Sequence, residues 1–287
     1  FGSAQAMAHP MFGSGGGRAP RSLMPRIAWG VQYDGRAFQG WQSQSHGLTV
    51  QDHLQTALHQ FANQTIAVQC AGRTDTGVHA LGQVVHFDVP FERDTHAWVR
   101  GVNAILPDTI AERWARVDVP EFHARFDAYQ RTYHYLIYNH AVRSPIWAGR
   151  AGWYHHALDA EKMHAAAQVL VGEHDFSAFR AAECQAKSPV KTLHQISVQR
   201  CGDAVLLRIT ANAFLHHMVR NLVGSLVYIG VGKQPTDWLA FLLQQKDRKL
   251  SAPTFSPAGL YLSAIHYPEH YQLPTPCDDF AQALGLN

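Results

Sequence analysis

The stretch from Gly72 to His79, GRTDTGVH, gathers an arginine, an aspartate, two threonines and two glycines between apolar runs of strand type. One carboxylate and one guanidinium, with no second acid or thiol beside them, suit a reaction that asks for a single nucleophile or general base. Glycoside hydrolysis generally needs two carboxylates facing one bond. Asp88, the next acid along, ends a strand-like run about 13 residues on, roughly 40 Å away at full extension, so the two would not form that pair. On residue types alone two readings of the loop stand. Gly72 and Gly77 permit positive φ or close backbone approach. Asp75 is either the side-chain acceptor of a well-made turn or a reacting carboxylate at a strand end, with Arg73 as a phosphate or base contact.

Two further positions carry chemistry. In RTYHYLIYN, strand alternation sets Tyr133, Tyr135 and Ile137 on one face, where a tyrosine most often packs a core. In AFLHHMVRNLVGSL, Arg220 stands one helical turn after His216 and one before Gly224, among Met218, Val219, Leu222 and Val223. A guanidinium in such apolar company needs a carboxylate partner. His216 and His217, read as neighbours on a helix, point to different sides and do not chelate as an i, i+4 pair does, so no metal is assigned. Neither a phosphate-binding glycine loop nor Cys and His at ligand spacing occurs, and no cofactor is expected.

The elements that must position these residues follow from periodicity. RIAWGVQY reads as a strand. Val50, Leu54, Leu58 and Phe61 mark a helix capped by Thr49 and Asp52. TIAVQCA and ALGQVVHFDV read as strands flanking the loop, and Trp98, Val99, Val102 and Leu106 mark a second helix. RTYHYLIYN opens the same rhythm again, followed by a helix from cap Asp159 to stop Gly172. A hairpin around Cys201–Asp203 comes next, then an apolar helix with Phe214, Met218, Leu222 and Leu226 in one stripe. Thr236 caps a last helix and GLYLSAIHYP gives a last strand. Two β-α-β-β-α halves predict an α/β (α+β) protein of two ferredoxin-like units, their sheets meeting around a central cleft. The expected divisions are a flexible arm with an expression scar (1–24), an N-terminal domain (25–125), a C-terminal domain (126–271) and a loose tail (272–287).

At 287 residues, 46% hydrophobic and 16% charged, the chain is an ordinary globular length and mixture. A net charge of +2 does not by itself demand a nucleic-acid partner. Nineteen histidines would make the surface more cationic in mild acid. Four scattered cysteines fit a reducing cytoplasm, and the lack of an apolar run of membrane length gives no membrane partner.

GRTDTGVHA followed by GQVVHFD resembles the signature of the tRNA pseudouridine synthase A family. YDGRAFQGWQ, GVNAILP, FHARFDA, RTYHYLIYN, NAFLHHMVRNLVGSL and GLYL resemble it in the same order, over roughly residues 26–271. Thr76 departs from the more usual alanine, a small change beside the reactive position. The resemblance implies an isomerase that converts uridine to pseudouridine in the anticodon stem-loop of tRNA, without cofactor. It implies Asp75 as the catalytic residue, Tyr133 against the uracil, Arg220 paired to Asp75 and Leu260 as an apolar wall. Carboxylate attack at C1′, proton abstraction at C2′ and addition to the ring all remain open. The target base must leave its stack, and the resemblance gives Arg73 the role of filling the gap. It also implies RNA contacts from Phe122, His123, Ala124, Arg125 and Phe126, and from Glu183, Cys184, Gln185, Ala186 and Lys187, with Arg93 a further phosphate contact. A homodimer is expected on the same ground. A non-catalytic RNA-binding module of the same fold is the alternative, although Asp75, Tyr133 and Arg220 are all present.

Overall fold

The computed structural model describes residues 24–277 and 279–283. The expected N-terminal arm therefore lies almost wholly outside the described residues. The first half runs β1 (Arg26–Tyr33), α1 (Val50–Ala62), β2 (Gln69–Cys70), β3 (His79–Asp88), α2 (Thr95–Asn103) and β4 (Ile110–Arg116). The second runs β5 (Gln130–Asn139), β6 (Gly152–Tyr154), α3 (Ala160–Ala167), β7 (Gly172–Asp175), β8 (Val190–Cys201), β9 (Ala204–Ala211), α4 (Met218–Gly230), α5 (Trp238–Gln245) and β10 (Leu260–His266). This is a mixed α/β fold.

The strands form one open sheet, ordered β4-β1-β3-β10-β5-β9-β8-β7, with β2 also beside β3 and β6 beside β5. The expectation of two sheets meeting at a cleft is corrected by β10. That strand enters between the halves, pairing Tyr261 and Leu262 in parallel with His79 and Ala80 of β3, and running antiparallel to β5 along its other edge. Backbone hydrogen bonds therefore join the halves directly. With the short strands β6 and β7 set aside, within each half the last strand lies beside the first, the first beside the third and the third beside the second: β4-β1-β3-β2 and β10-β5-β9-β8.

Local chemistry explains the starts of three helices. Thr49 and Asp52 form a reciprocal capping box on α1, while the Asp94 and Asp159 side chains accept from Ala97 and Lys162 N–H to start α2 and α3. Other expectations shift. Only Gln69–Cys70 of TIAVQCA pairs as strand. Gly172 does not stop α3, which ends at Ala167 and tightens into a 3-10 turn through Leu170; Gly172, at φ 109°, opens β7. Asp237 rather than Thr236 precedes α5, without a side-chain cap. Helix α4 begins at Met218, so Phe214 lies outside its stripe. The tail is not loose throughout: Phe280 is buried, its ring 5.1 Å from that of Tyr261 and 5.0 Å from that of His134.

Two cores result. One packs Trp29, Trp41, Phe87 and Trp98 with Leu54 and Leu58 of α1, and takes in Leu262 and Ile265 from β10. The other packs Tyr135, Ile137, Met163, Phe176 and Phe179 with Leu222 and Leu226 of α4, and takes in Val78 from the first half. Each core thus borrows residues from the other half, which fixes the Gly72–His79 loop between them.

Strand β4 escaped the periodicity because a buried glutamate interrupts it. Glu112 is 2% exposed, and neither carboxyl oxygen has a hydrogen-bond partner among the described residues. Asn103, at the end of α2, holds the Glu112 backbone by donating to its carbonyl and accepting from its N–H, both at 2.8 Å. Burial pushes the Glu112 carboxyl up to about 9. Between its ordinary value and that one the folded protein keeps a proton that the unfolded chain releases. Stability from this group is full in acid and falls by about 1.4 kcal/mol per pH unit across the window. Glu112→Gln removes the ionisation, so denaturant melts at pH 8 should show the variant more stable than wild type. At pH 5 the difference should nearly vanish.

Candidate active site

The loop between β2 and β3 is pinned from below. Gln83 donates to the Gly72 carbonyl at 2.6 Å and accepts from Gly72 N–H at 3.4 Å. The Thr74 hydroxyl meets the Tyr33 hydroxyl at 2.7 Å, and Trp41 N–H donates to the Thr74 carbonyl at 2.9 Å. The turn closes with Val78 N–H on the Asp75 carbonyl at 3.1 Å, and Gly77 supplies the left-handed step at φ 82°. Gly72 needs neither exemption: its φ is not positive and an added Cβ would meet nothing within 4 Å.

His79 fastens the far end of the loop. Its Nδ1 accepts from Gly35 N–H at 3.0 Å, so Nε2 carries the proton and donates toward the carbonyls of Gly149 at 2.9 Å and Ala258 at 3.1 Å. Burial lowers its pKa, in keeping with a neutral ring, which stacks on Tyr261 at 4.6 Å. A neutral His79 cannot also donate from Nδ1 to Asp34 Oδ1, so their 3.4 Å approach is not counted as an ion pair.

With the main chain so held, the Asp75 side chain faces outward from its loop to the start of α4. Oδ1 accepts from His216 Nε2 at 3.0 Å, and Oδ2 accepts from Arg220 Nη1 at 3.2 Å and lies 3.1 Å from His217 Nε2. These partners, not the loop's own backbone, take up the carboxylate, which decides against the turn-acceptor reading. Arg220 is anchored in turn: its Nε donates to the Phe255 carbonyl at 2.8 Å, and its own carbonyl accepts from Phe255 N–H at 3.2 Å. Gly224, one turn on, admits that strap, since a Cβ there would stand 2.4 Å from the Pro253 carbonyl oxygen.

The two histidines are the residues that sequence reasoning missed. Placed inside a helix they would diverge; instead both precede α4, and His217 adopts a left-handed backbone at φ 60° that turns the rings together, centroids 3.9 Å apart. The geometric objection to chelation therefore fails: ligand atoms of Asp75, His216 and His217 lie within 4.8 Å of one another. Arg220 nonetheless sets a fixed positive charge on the same carboxylate, which opposes a second cation there, and no metal is assigned.

Tyr133 lies half-buried on β5 with its ring edge-on to Phe214 at 5.0 Å. Burial pushes its phenol well above the ordinary range, and the nearby Asp75 charge adds in the same direction. Leu260, 6% exposed, opens β10 opposite Tyr135.

A model of the family described as "tRNA pseudouridine synthase" matches residues 30–127 and 166–268. The chain belongs to the tRNA pseudouridine synthase family. Relatives called tRNA pseudouridine synthase A are 58% identical in Paraburkholderia xenovorans over 253 residues, covering 88% of this chain and 94% of the relative. In Herminiimonas arsenicoxydans the identity is again 58%, covering 87% and 92%; in Burkholderia mallei it is 58%, covering 88% and 93%. A chain of a solved Cbf5-Nop10-Gar1 complex aligns over 82% of this chain and 48% of its own at 14% identity, with a TM-score of 0.40, too loose to support an argument.

The family's expected RNA contacts divide by exposure. Arg73 is exposed beside Asp75 and has no partner among the described residues. Phe122 and Ala124 are fully buried; Phe122 packs on Tyr267 and Tyr271, and Ala124 bonds His86 and Tyr267. Their side chains touch protein. His123, Arg125 and Phe126 form the outer edge, with His123 stacked on Phe126 at 4.1 Å and Phe126 75% exposed. In the second segment Glu183, Gln185 and Lys187 are exposed, while Arg180 donates to the carbonyls of Cys184 and Ala186 and shapes the loop. Arg93 is engaged over the Phe61 and Phe91 rings at 4.4 and 5.1 Å.

Proposed function

We infer that Asp75 is the reacting carboxylate of this synthase, with Arg220 holding it and Tyr133 and Leu260 framing the uracil. The chain isomerises uridine to pseudouridine in tRNA. The C1′–N1 bond breaks, C1′–C5 forms, C5 gives up its proton and N1 takes one, with no net oxidation. The observation that carries the assignment is the carboxylate of Asp75, set on a rigid loop yet held entirely by donors from the other half. A phenol kept protonated by burial suits Tyr133 to stacking and hydrogen-bond donation rather than to acting as a resting base.

We propose further that the substrate region is the anticodon stem-loop, with the target nucleotide flipped out and Arg73 filling the gap. Arg125, Phe126 and Lys187, all exposed, fit the backbone and stacking contacts this needs; Arg93 is a further phosphate contact. The halves 25–125 and 126–271 read as two ferredoxin-like domains, supported by their shared strand order. A homodimer fits the exposed apolar side chains Val142, Ile146, Trp147 and Trp153. No described helix is long and apolar enough to cross a membrane, and a cytoplasmic location suits a tRNA substrate. The test is to incubate the protein, with a chelator present, with a tRNA transcript tritiated at uracil C5. Tritium release with pseudouridine mapped to the anticodon arm is expected; absence of release refutes the activity.

A further inference from the structure

Arg220 takes its direction from a carbonyl that no ladder holds. Its Nε donates to the Phe255 carbonyl at 2.8 Å while Nη1 reaches Asp75 Oδ2 at 3.2 Å, so a shift of that carbonyl swings the tether of the carboxylate. Yet residues 251–256 belong to no helix or strand, and backbone without a ladder must find its partners elsewhere. Arg248, which opens a short 3-10 turn just after α5, reaches into this strap. Its Nη1 donates to the Ser251 hydroxyl at 2.7 Å and to the Ala252 carbonyl at 2.9 Å. Its Nη2 donates to the Thr254 hydroxyl at 3.1 Å and to Asn221 Oδ1 at 3.0 Å. The Thr254 hydroxyl closes the ring by donating to that same Asn221 oxygen at 2.7 Å. Asn221 follows Arg220 on α4, is fully buried, and is fixed in turn by donating from Nδ2 to the Phe179 carbonyl at 2.8 Å.

We propose that Arg248 is a positioning residue for the isomerisation: it knots the strap to Asn221, which sets the Phe255 carbonyl and through it the Arg220 guanidinium that holds Asp75. This rests on the reading of Asp75 as the reacting carboxylate. The four acceptors of Arg248 are all uncharged, so what the site uses is the planar fork with its fixed donor directions rather than an ion pair. Three of those acceptors lie on the strap and one on α4, directly beside Arg220. The remaining link, from Phe255 N–H to the Arg220 carbonyl at 3.2 Å, ties the strap to the helix at one point only and leaves the direction of the Phe255 carbonyl to the knot.

The test measures single-turnover tritium release at saturating enzyme, tRNA affinity and thermal melting for Arg248→Lys and Thr254→Val, each alone and combined with Arg220→Ala. An ammonium donates from one point and cannot serve the strap and Asn221 together. R248K should therefore slow release about 20-fold, on the scale of a reacting group displaced from its geometry, while tRNA affinity stays within about twofold of wild type. T254V keeps Arg248 and the side-chain shape but loses the hydroxyl that closes the ring, and should slow release about fivefold, the scale of one lost hydrogen bond. The effect must pass through Arg220. In the Arg220→Ala background, where Phe255 has no guanidinium to aim, either substitution should cost less than about twofold, a coupling that independent sites do not show. The same fold loss in both backgrounds overturns the inference, as does a rate loss matched by lost tRNA affinity. So does a rate within about twofold of wild type in R248K, or in T254V should the lysine variant not fold. Wild type that releases no tritium, or Asp75→Asn that releases it at the wild-type rate, overturns instead the reading on which the inference rests.

Discussion

Asp75→Asn should lower tritium release by roughly 10⁴-fold or more, the scale on which removing a reacting group acts, while tRNA affinity stays within a few-fold. The substitution keeps the shape and removes the charge and one acceptor. In wild type Oδ2 faces Arg220 and His217 and Oδ1 faces His216. An asparagine can offer its oxygen to only one side and must turn an NH₂ toward donors on the other. It therefore neither attacks nor abstracts, and it no longer matches the donor set around it. Affinity is expected to persist because the exposed Arg73, Arg125 and Lys187 are separate from that carboxylate. Single-turnover assays at saturating enzyme separate the two effects. Release by the asparagine variant at a wild-type rate would remove Asp75 from the chemistry under all three routes considered for it.

Residue types flagged the acid and the guanidinium, but left Asp75 open between turn acceptor and reacting carboxylate, and the family resemblance supplied its pairing with Arg220. A lone aspartate on a glycine-flanked loop stands out between strand runs, and Arg220 stands out among Met218, Val219, Leu222 and Val223. Two helix caps were readable, since Thr49 and Asp159 act within a few residues of themselves; Asp94 was overlooked and Thr236 proved not to cap α5. The single sheet was not, because the pairing of His79 with Tyr261 is set by tertiary packing across some 180 residues. Strand β4 was hidden by Glu112, a charged residue type at a buried position. The histidine pair was misread for a different reason. An apolar pattern cannot date the start of a helix that lacks a capping side chain, and α4 has none. Asn212, directly before AFLHHMVRN, even offers a capping residue type at the earlier start, so the sequence carried no signal that the helix begins at Met218.

Arg220→Lys is the sharper test of how the halves cooperate, and it should cut turnover about 100-fold even though the charge is kept. The guanidinium performs two tasks at once: Nε holds the Phe255 carbonyl and Nη1 holds Asp75 Oδ2, in a plane that fixes one relative to the other. An ammonium is a single point at the end of a flexible stem and can satisfy either partner but not both. If it chooses Phe255, Asp75 loses its charged tether and the Oδ2 side is left to His217. If it chooses Asp75, the strap at Phe255 is released except for the bond from Phe255 N–H to the Arg220 carbonyl. Arg220→Ala removes both and leaves the carboxylate facing only imidazoles. With Arg220 mostly buried at 13% side-chain exposure and Asp75 at 28%, partial solvent screening limits the stability loss to about 2 kcal/mol, below that of a fully buried pair. The alanine variant should therefore still fold and bind tRNA, with a turnover loss larger than the lysine variant's. A lysine variant with wild-type turnover would mean that the positive charge suffices and that the geometry joining Phe255 to Asp75 has no part in catalysis.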